Sequence, residues 1–444
     1  MLFPRDFETM MRGILGQSYE RFAAAAAEPC PVSVRLNDKS AIMVDSSCTP
    51  VEWCGSGFYL PERPVFALDP LWHCGAYYVQ EASSMFLEQL YKKYVSGKVR
   101  ILDLSAAPGG KSTHVANLME KGSLLVSNEI IPSRAAVLLE NSLKWGTPST
   151  VVCNNATEDF KCMDGFFDVL LCDMPCSGEG MFRKEPEALR QWSLAFAGSC
   201  AQKQRNIMES VWDCLRENGL LIYSTCTFNP YENEENIAWI AGTLGAEILE
   251  SRHFYFHETR GEGLFMAALR KSSASPSFRL RGVKEMKVLK TPLLKHIAAP
   301  EDYEAVIAGD NICAVPREYA KEIAFMSKNL RVLSAGIPLC AASDAKQNPL
   351  PALALSKVFD KETSPHYEAS LSEALAYLKG ECLQMPGIGK GRVVVCYGDL
   401  PLGWCTNIGQ RANNQYPKNW RIKINIRPCR LFFSVQEHPQ ESHT

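Results

Sequence analysis

Two cysteines stand where short apolar runs break into polar sequence. Cys176 lies in FDVLLCDMPCSGEG, just after Asp173, and Cys226 lies in GLLIYSTCTFNPYENEEN. A thiol can serve as the nucleophile that divides one hard step into two easier ones. A lone cysteine is more often a small buried hydrophobe. Both of these thiols sit in exits rich in Gly, Pro and Asn, which weakens the buried reading. They are far apart in the chain, but adjacent strands could bring them to one pocket.

A second group offers a binding surface. LDLSAAPGGKS, residues 102–112, reads as a buried strand ending at Asp103-Leu104, a small-residue loop, and a helix that Ser112 can open. Gly109 and Gly110 allow close backbone approach and positive φ, and free N–H groups at a helix start favour an anion. The loop has neither P-loop nor dinucleotide spacing, and alone it is as compatible with a plain β-α turn. Glu129 closes the next strand in LLVSNE. A carboxylate there can accept both hydroxyls of a ribose, or it can simply be an exposed strand end. Together, loop and acid suit a nucleoside with an anionic end and no pyrophosphate, a description that S-adenosylmethionine fits.

The elements that must position these groups are readable. Val99 onward alternates apolar runs with helices: VRILDLSA, SLLVSNE, STVVCN, FDVLLCD and GLLIYSTC, separated by helical stretches at Ser112–Met119, Ser133–Trp145, Ala201–Arg216 and Glu232–Thr243. Runs of this kind suit strands buried on both faces of a parallel sheet, and their alternation with helices predicts a doubly wound α/β domain. AEILE and GLFMAALRK are its expected last strands. Before it come helical FETMMRGILG and an alanine run, strand-like PVSVRLN, a Gly/Pro/Trp-rich loop from Cys54 to Gly75, and a helix in QEASSMFLEQLYKKYV. SSASPSFRLRG, residues 272–282, reads as a linker. Residues 300–378 are weakly α/β, and the end is β: RVVVCYG, the turn GDLPLG, WRIKINI and RLFFSV. Leu400–Gln436 has no acidic residue but carries Arg411, Lys418, Arg421, Lys423, Arg427 and Arg430.

Composition excludes several classes. The 444 residues carry 47 Lys+Arg against 49 Asp+Glu, so any polyanion site is a local patch. No window approaches the ~18 uninterrupted apolar residues of a spanning helix, and the charged start does not read as a signal peptide. The 17 cysteines are odd in number and lack any C-x-x-C pair, which points to buried thiols in a reducing cytoplasm. His253 and His257 are spaced for a metal but have no third ligand nearby, so no metal is expected.

AAPGGK, DMPCSGEGMFRK and STCTFNPYENEENI resemble the signature blocks of the Sun-type (Nol/Nop/Sun) RNA cytosine-C5 methyltransferases. The C-terminal WCTNIGQRANNQYPKNWRI is similar to the closing module of bacterial ribosomal small-subunit methyltransferases of the F type. The resemblance implies a Rossmann-like class I core with a small N-terminal α+β domain and a C-terminal PUA-like region. It divides the chain into 1–98 (N-terminal RNA-binding domain), 99–272 (methyltransferase core), 273–299 (linker), 300–378 (intermediate α/β region) and 379–444 (PUA-like RNA-binding module).

The resemblance also implies roles. Cys226 is the nucleophile that adds to cytosine C6, Cys176 assists product release, and Asp173 binds the cytosine N3/N4 edge. S-adenosyl-L-methionine would contact Ser105, Ala106, Ala107, Pro108, Gly109, Gly110, Lys111, Glu129, Asp173 and, at the adenine, Asn155. The last position is usually Asp, and neighbouring Asn154 is an alternative. Arg183 and Lys184 could meet substrate phosphate or be a solvated pair. Arg411, Lys418 and Trp420, with Tyr416, suit RNA backbone and base stacking, or an ordinary solvated β surface. The expected partner is 16S rRNA or the small subunit, met by a monomer. Transfer RNA is the alternative substrate, and a non-catalytic RNA-binding assembly factor is the alternative class.

Overall fold

The computed structural model describes residues 3–39, 41–280, 288–423 and 431–435. The five apolar runs form five strands: β1 Arg100–Asp103, β2 Leu124–Asn128, β3 Thr150–Cys153, β4 Phe167–Asp173 and β5 Leu215–Thr225. All pair in parallel with their neighbours in this set. Two further strands, β6 Ala246–Phe254 and β7 Leu264–Lys271, extend the sheet antiparallel beyond β5. An eighth, β8 Val332–Ala335, comes from beyond the linker and lies antiparallel to β3. The order is β6-β7-β5-β4-β1-β2-β3-β8, so the winding reverses at β1. Ligands of open α/β sheets sit outside the strand ends at that point.

The continuous apolar runs follow from burial on both faces. Leu102, Val126, Leu170 and Leu221 face one core, and Ile101, Leu125, Val169 and Ile222 face the other. Each such side chain contributes roughly 1.5–3 kcal/mol by leaving water, which fixes the register of every strand. The covering helices include α1 Gly110–Leu118, α2 Pro132–Trp145 and α3 Leu194–Val211. The last differs from the expected Ala201–Arg216. Ser193 caps its start by accepting from the Phe196 N–H at 3.1 Å, and Leu215 already belongs to β5. The helix expected over 232–243 runs Glu234–Trp239 and continues as a π turn to Gly245.

The helices Arg5–Leu15 and Tyr19–Ala25 place Phe7 and Phe22 against Phe182, Trp192, Phe228 and Phe256 of the core. A four-stranded antiparallel sheet follows. One of its strands, Cys54–Leu60, opens the stretch expected as loop, because glycines at 55 and 57 hid its alternation. Past the linker come a three-stranded sheet (Tyr303–Ala308, Asn311–Pro316, Ile337–Ala341) and a four-stranded one (His366–Glu368, Gly391–Tyr397, Leu400–Asn407, Ala412–Asn414). The strand expected in WRIKINI lies largely outside the described residues. Among the described residues no helix is long and apolar enough to cross a membrane.

One ammonium joins three of these parts. Lys39 Nζ donates to the carbonyls of Cys74 (2.9 Å), Leu355 (2.7 Å) and Lys144. Each carbonyl closes a helix, and helix C-termini carry partial negative charge. Replacing Lys39 with Met strands three acceptors, at about 1–3 kcal/mol for a buried one. The expected result is a clear fall in denaturant midpoint for K39M with unchanged m-value.

Two buried histidines weaken the fold in acid. His73 bonds the Tyr416 hydroxyl at 3.0 Å, and His114 donates to Glu88 at 3.1 Å. Burial pushes their pKa values down, to about 3 and about 4. Above about pH 6.5 both are neutral in either state and their contribution is complete. As pH falls below that, only the unfolded chain takes up their protons, and stability drops by up to about 1.4 kcal/mol per unit for each. Buried Asp69 and Asp103, raised to about 6 and about 7, act in the opposite direction, so the histidine contribution is read as a difference: on going from pH 6.5 to 4 the melting temperature should change less favourably in the native chain than in H73F.

Candidate active site

The carboxyl ends of β1, β2, β4 and β5 open into a cavity of about 720 Å3, lined by Ser105, Glu129, Asn155, Asp173, Cys176 and Cys226 among others. The two sulfurs lie 3.0 Å apart. Parallel pairing of β4 with β5 sets Asp173 beside Ser224, so each thiol follows the same sheet edge by two or three residues. The contact with Cys226, and then burial, push the Cys176 thiol well above its ordinary pKa. Cys176 is thus held protonated at neutral pH. Asp173 Oδ1 accepts from Ser224 Oγ at 2.7 Å and pairs with Lys111 Nζ at 2.8 Å.

On the cofactor side, Gly109 has φ +116° at the start of α1 and needs its glycine. Ala106 and Ala107 are buried, and Arg134 donates to the Ala107 carbonyl at 2.8 Å. Of the loop predicted to contact cofactor, Ser105 lines the cavity, Lys111 reaches Asp173, and residues 106–110 form the turn behind them. Asp103 sits beneath, accepting from Ser112 at 2.6 Å, with its pKa raised to about 7 by burial. Glu129 is the most telling residue. Its Oε1 accepts from the Ile131 N–H at 2.9 Å, while Oε2, buried at the cavity, takes no hydrogen bond and lies 3.5 Å from the Arg134 guanidinium. A buried carboxylate oxygen that accepts no hydrogen bond is costly even beside a cation, and a ribose hydroxyl is a donor of the right kind. The residues present fit the nucleoside.

Several expected contacts stand differently. Asn155 lines the cavity, but its amide pairs with the backbone of Arg331, whose N–H donates to Oδ1 at 2.8 Å. Asn154 holds the carbonyls of Glu129 and Ile130 instead (2.7 and 3.0 Å). Arg183 is not available to a phosphate. Its side chain is 5% exposed, bound to Glu262 at 2.9 Å and stacked over Phe256. Lys184 leans on Glu262 at 3.4 Å with about a third of its side chain exposed. Tyr416 is in the core and cannot stack on a base. Trp420 is half-buried under Lys144, whereas Arg411 and Lys418 are exposed.

Sequence reasoning missed what holds the thiols together. Glu179 and Glu232 are fully buried, and among the described residues neither has a cationic partner. Glu179, from the Cys176 loop, accepts from the N–H groups of Phe228 (2.6 Å) and Asn229 (2.9 Å) and from Trp192 Nε1 (2.8 Å). Glu232, from the Cys226 loop, accepts from Ser177 N (3.0 Å), Asn229 Nδ2 (2.8 Å) and Gln204 Nε2 (2.8 Å). Burial raises the Glu232 pKa against these donors. Each carboxylate reaches across to the other loop. Their closeness to the two cysteines in sequence was the only available signal.

A parallel sheet that reverses its winding, with a cavity at the switch point lined by a strand-end acid, is the construction of an S-adenosylmethionine-dependent methyltransferase. Family models agree: 16S rRNA methyltransferase RsmB/F matches residues 94–270, the N-terminal domain of 16S rRNA methyltransferase RsmF matches 3–82, and the methyltransferase RsmF PUA domain matches 364–422. The ribosomal RNA small subunit methyltransferases F of Salmonella heidelberg and Citrobacter koseri are each 30% identical, over 467 and 462 residues, with 94% of this chain and 96% of theirs covered. A methyltransferase homolog protein from Pyrococcus horikoshii superposes with TM-score 0.52 at 23% identity, over 61% of this chain and 95% of its own. NSun6 from the same organism, solved with SFG, gives 0.52 at 18%, over 61% and 99%. The chain belongs to the RsmB/F family of 16S rRNA methyltransferases, in its F branch, and S-adenosylmethionine is its cofactor.

Removing either cross-loop carboxylate orphans several buried donors, each worth about 1–3 kcal/mol. E232A is expected to lose several kcal/mol of unfolding free energy in urea. E232Q keeps one acceptor and should lose clearly less.

Proposed function

We propose that this enzyme methylates C5 of a cytosine in 16S rRNA through a covalent adduct on Cys226. The carrying observation is the pair of thiols 3.0 Å apart on the wall of the cavity that Glu129 also lines. The small-subunit rRNA is taken from the names of the relatives.

The cofactor, held by Glu129, Asn155 and the loop from Ser105, supplies an electrophilic methyl group. Cytosine C5 is too weak a nucleophile to take it unaided. Addition of the Cys226 thiolate to C6 moves the ring electrons onto C5, which would then take the methyl group as the methyl–sulfur bond breaks and its electron pair returns to the neutral thioether. Asp173, kept in place by Ser224 and Lys111, hydrogen-bonds the N3/N4 edge and favours the protonated ring during addition. Transfer of the C5 proton to water then returns its electron pair to the ring, restores the C5–C6 double bond and expels the Cys226 sulfur as thiolate. Cys176 is suited to assist that release, because its raised pKa keeps a proton on the sulfur beside the leaving thiolate. The target base has to leave its stack to reach this cavity, and the flanking domains, with exposed Arg411 and Lys418, would hold the surrounding RNA.

With labelled S-adenosylmethionine and 16S rRNA, the native chain should transfer methyl groups and C226A should not. C176A should accumulate an enzyme–RNA adduct that survives a denaturing gel. A stable adduct in C226A would reverse the two roles. Bisulfite mapping of rRNA and tRNA from cells lacking the protein should reveal one or more lost 5-methylcytosines in 16S rRNA. A loss confined to tRNA would overturn the substrate.

A further inference from the structure

The nucleoside side of the cavity is built partly by a residue from beyond the linker. β8 docks on β3, and the residue just before it, Arg331, meets both asparagines that follow β3. The Asn154 N–H donates to the Arg331 carbonyl at 3.0 Å. The Asn155 side chain then pairs with Arg331 as a strand would: Oδ1 accepts from the Arg331 N–H at 2.8 Å, and Nδ2 donates to the Arg331 carbonyl at 3.3 Å. This explains why an amide stands at 155. An aspartate could accept from the N–H, but its second oxygen would face the carbonyl, acceptor against acceptor.

The guanidinium completes the arrangement. Arg331 Nη1 donates to Asn154 Oδ1 at 2.9 Å, which turns Asn154 Nδ2 toward the carbonyls of Glu129 and Ile130. Glu129 is the residue whose buried Oε2 lies at the cavity beside Arg134, without a hydrogen bond. One side chain from the appended segment therefore fixes the orientation of Asn154, and through it the backbone that carries Glu129. Its own main chain fixes Asn155.

We propose that Arg331 is a positioning residue for the nucleoside end of the cofactor, so that docking of the segment after the linker is part of forming the cofactor site. The inference rests on the reading that Glu129 and Asn155 face the nucleoside.

Titration calorimetry on the full chain tests it, with S-adenosylhomocysteine and with adenosine as probes. The native chain should bind both; failure to bind S-adenosylhomocysteine would sink the underlying reading as well. R331M and N155D should each weaken both probes by about tenfold, the size expected for one buried hydrogen bond to a charged or fixed group. The factor should be equal for the two probes, because the lost contact serves the part they share. R331K keeps a donor and should recover most of the affinity. Native affinity in folded R331M and N155D would overturn the proposal while leaving the cofactor reading intact. So would a loss restricted to S-adenosylhomocysteine, or no recovery in R331K. Should R331M fail to fold, N155D and R331K decide alone.

Discussion

Two buried carboxylates, without a counter-ion among the described residues, carry the active geometry of this molecule. Glu179 and Glu232 each begin on one thiol-bearing loop and accept hydrogen bonds from the other. Neither charge is cheap to bury, and each is tolerated only because several donors converge on it. The arrangement is consequently all-or-none. A loop that moved by a bond length would abandon donors on both sides at once, so the sulfurs keep their 3.0 Å approach without any covalent link.

The sheet supplies the other half of that precision. β4 and β5 are neighbours in parallel register, with their side chains divided between two apolar cores. A slip by one residue would send every leucine to the wrong face. Rigid strands thus deliver both loops to one edge, and the carboxylates close the remaining gap. The hydrophobic effect fixes position to within a residue; hydrogen bonds refine it to the atom.

The parts of this design differ in how legible they were from sequence. The five strands could be read because burial on both faces demands uninterrupted apolar runs such as FDVLL and GLLIY. Strand Cys54–Leu60 could not, since its glycines removed the alternation. Cys176 and Cys226 stood out by sitting in polar exits, and their meeting followed once adjacent strands were assumed. Glu179 and Glu232 were hidden because buried polar partners lie in loops, where no periodicity marks them. Arg183 and Tyr416 were misplaced for a related reason: a cation or an aromatic near a functional motif looks the same in sequence whether it faces solvent or the interior, where Arg183 meets Glu262 and Tyr416 meets His73. β8 was out of reach altogether, because its pairing with β3 spans more than 170 residues of chain.

The ammonium of Lys39 has a bearing on how the chain can be divided. It gathers carbonyls from residues 74, 144 and 355, one from each of three regions that would otherwise pass for separable modules. A catalytic core excised at the linker would keep two of those carbonyls and lose the helix end that completes the cage. A shortened version of this enzyme would have to supply a substitute third acceptor for that side chain, which makes the appended half part of the architecture of the core.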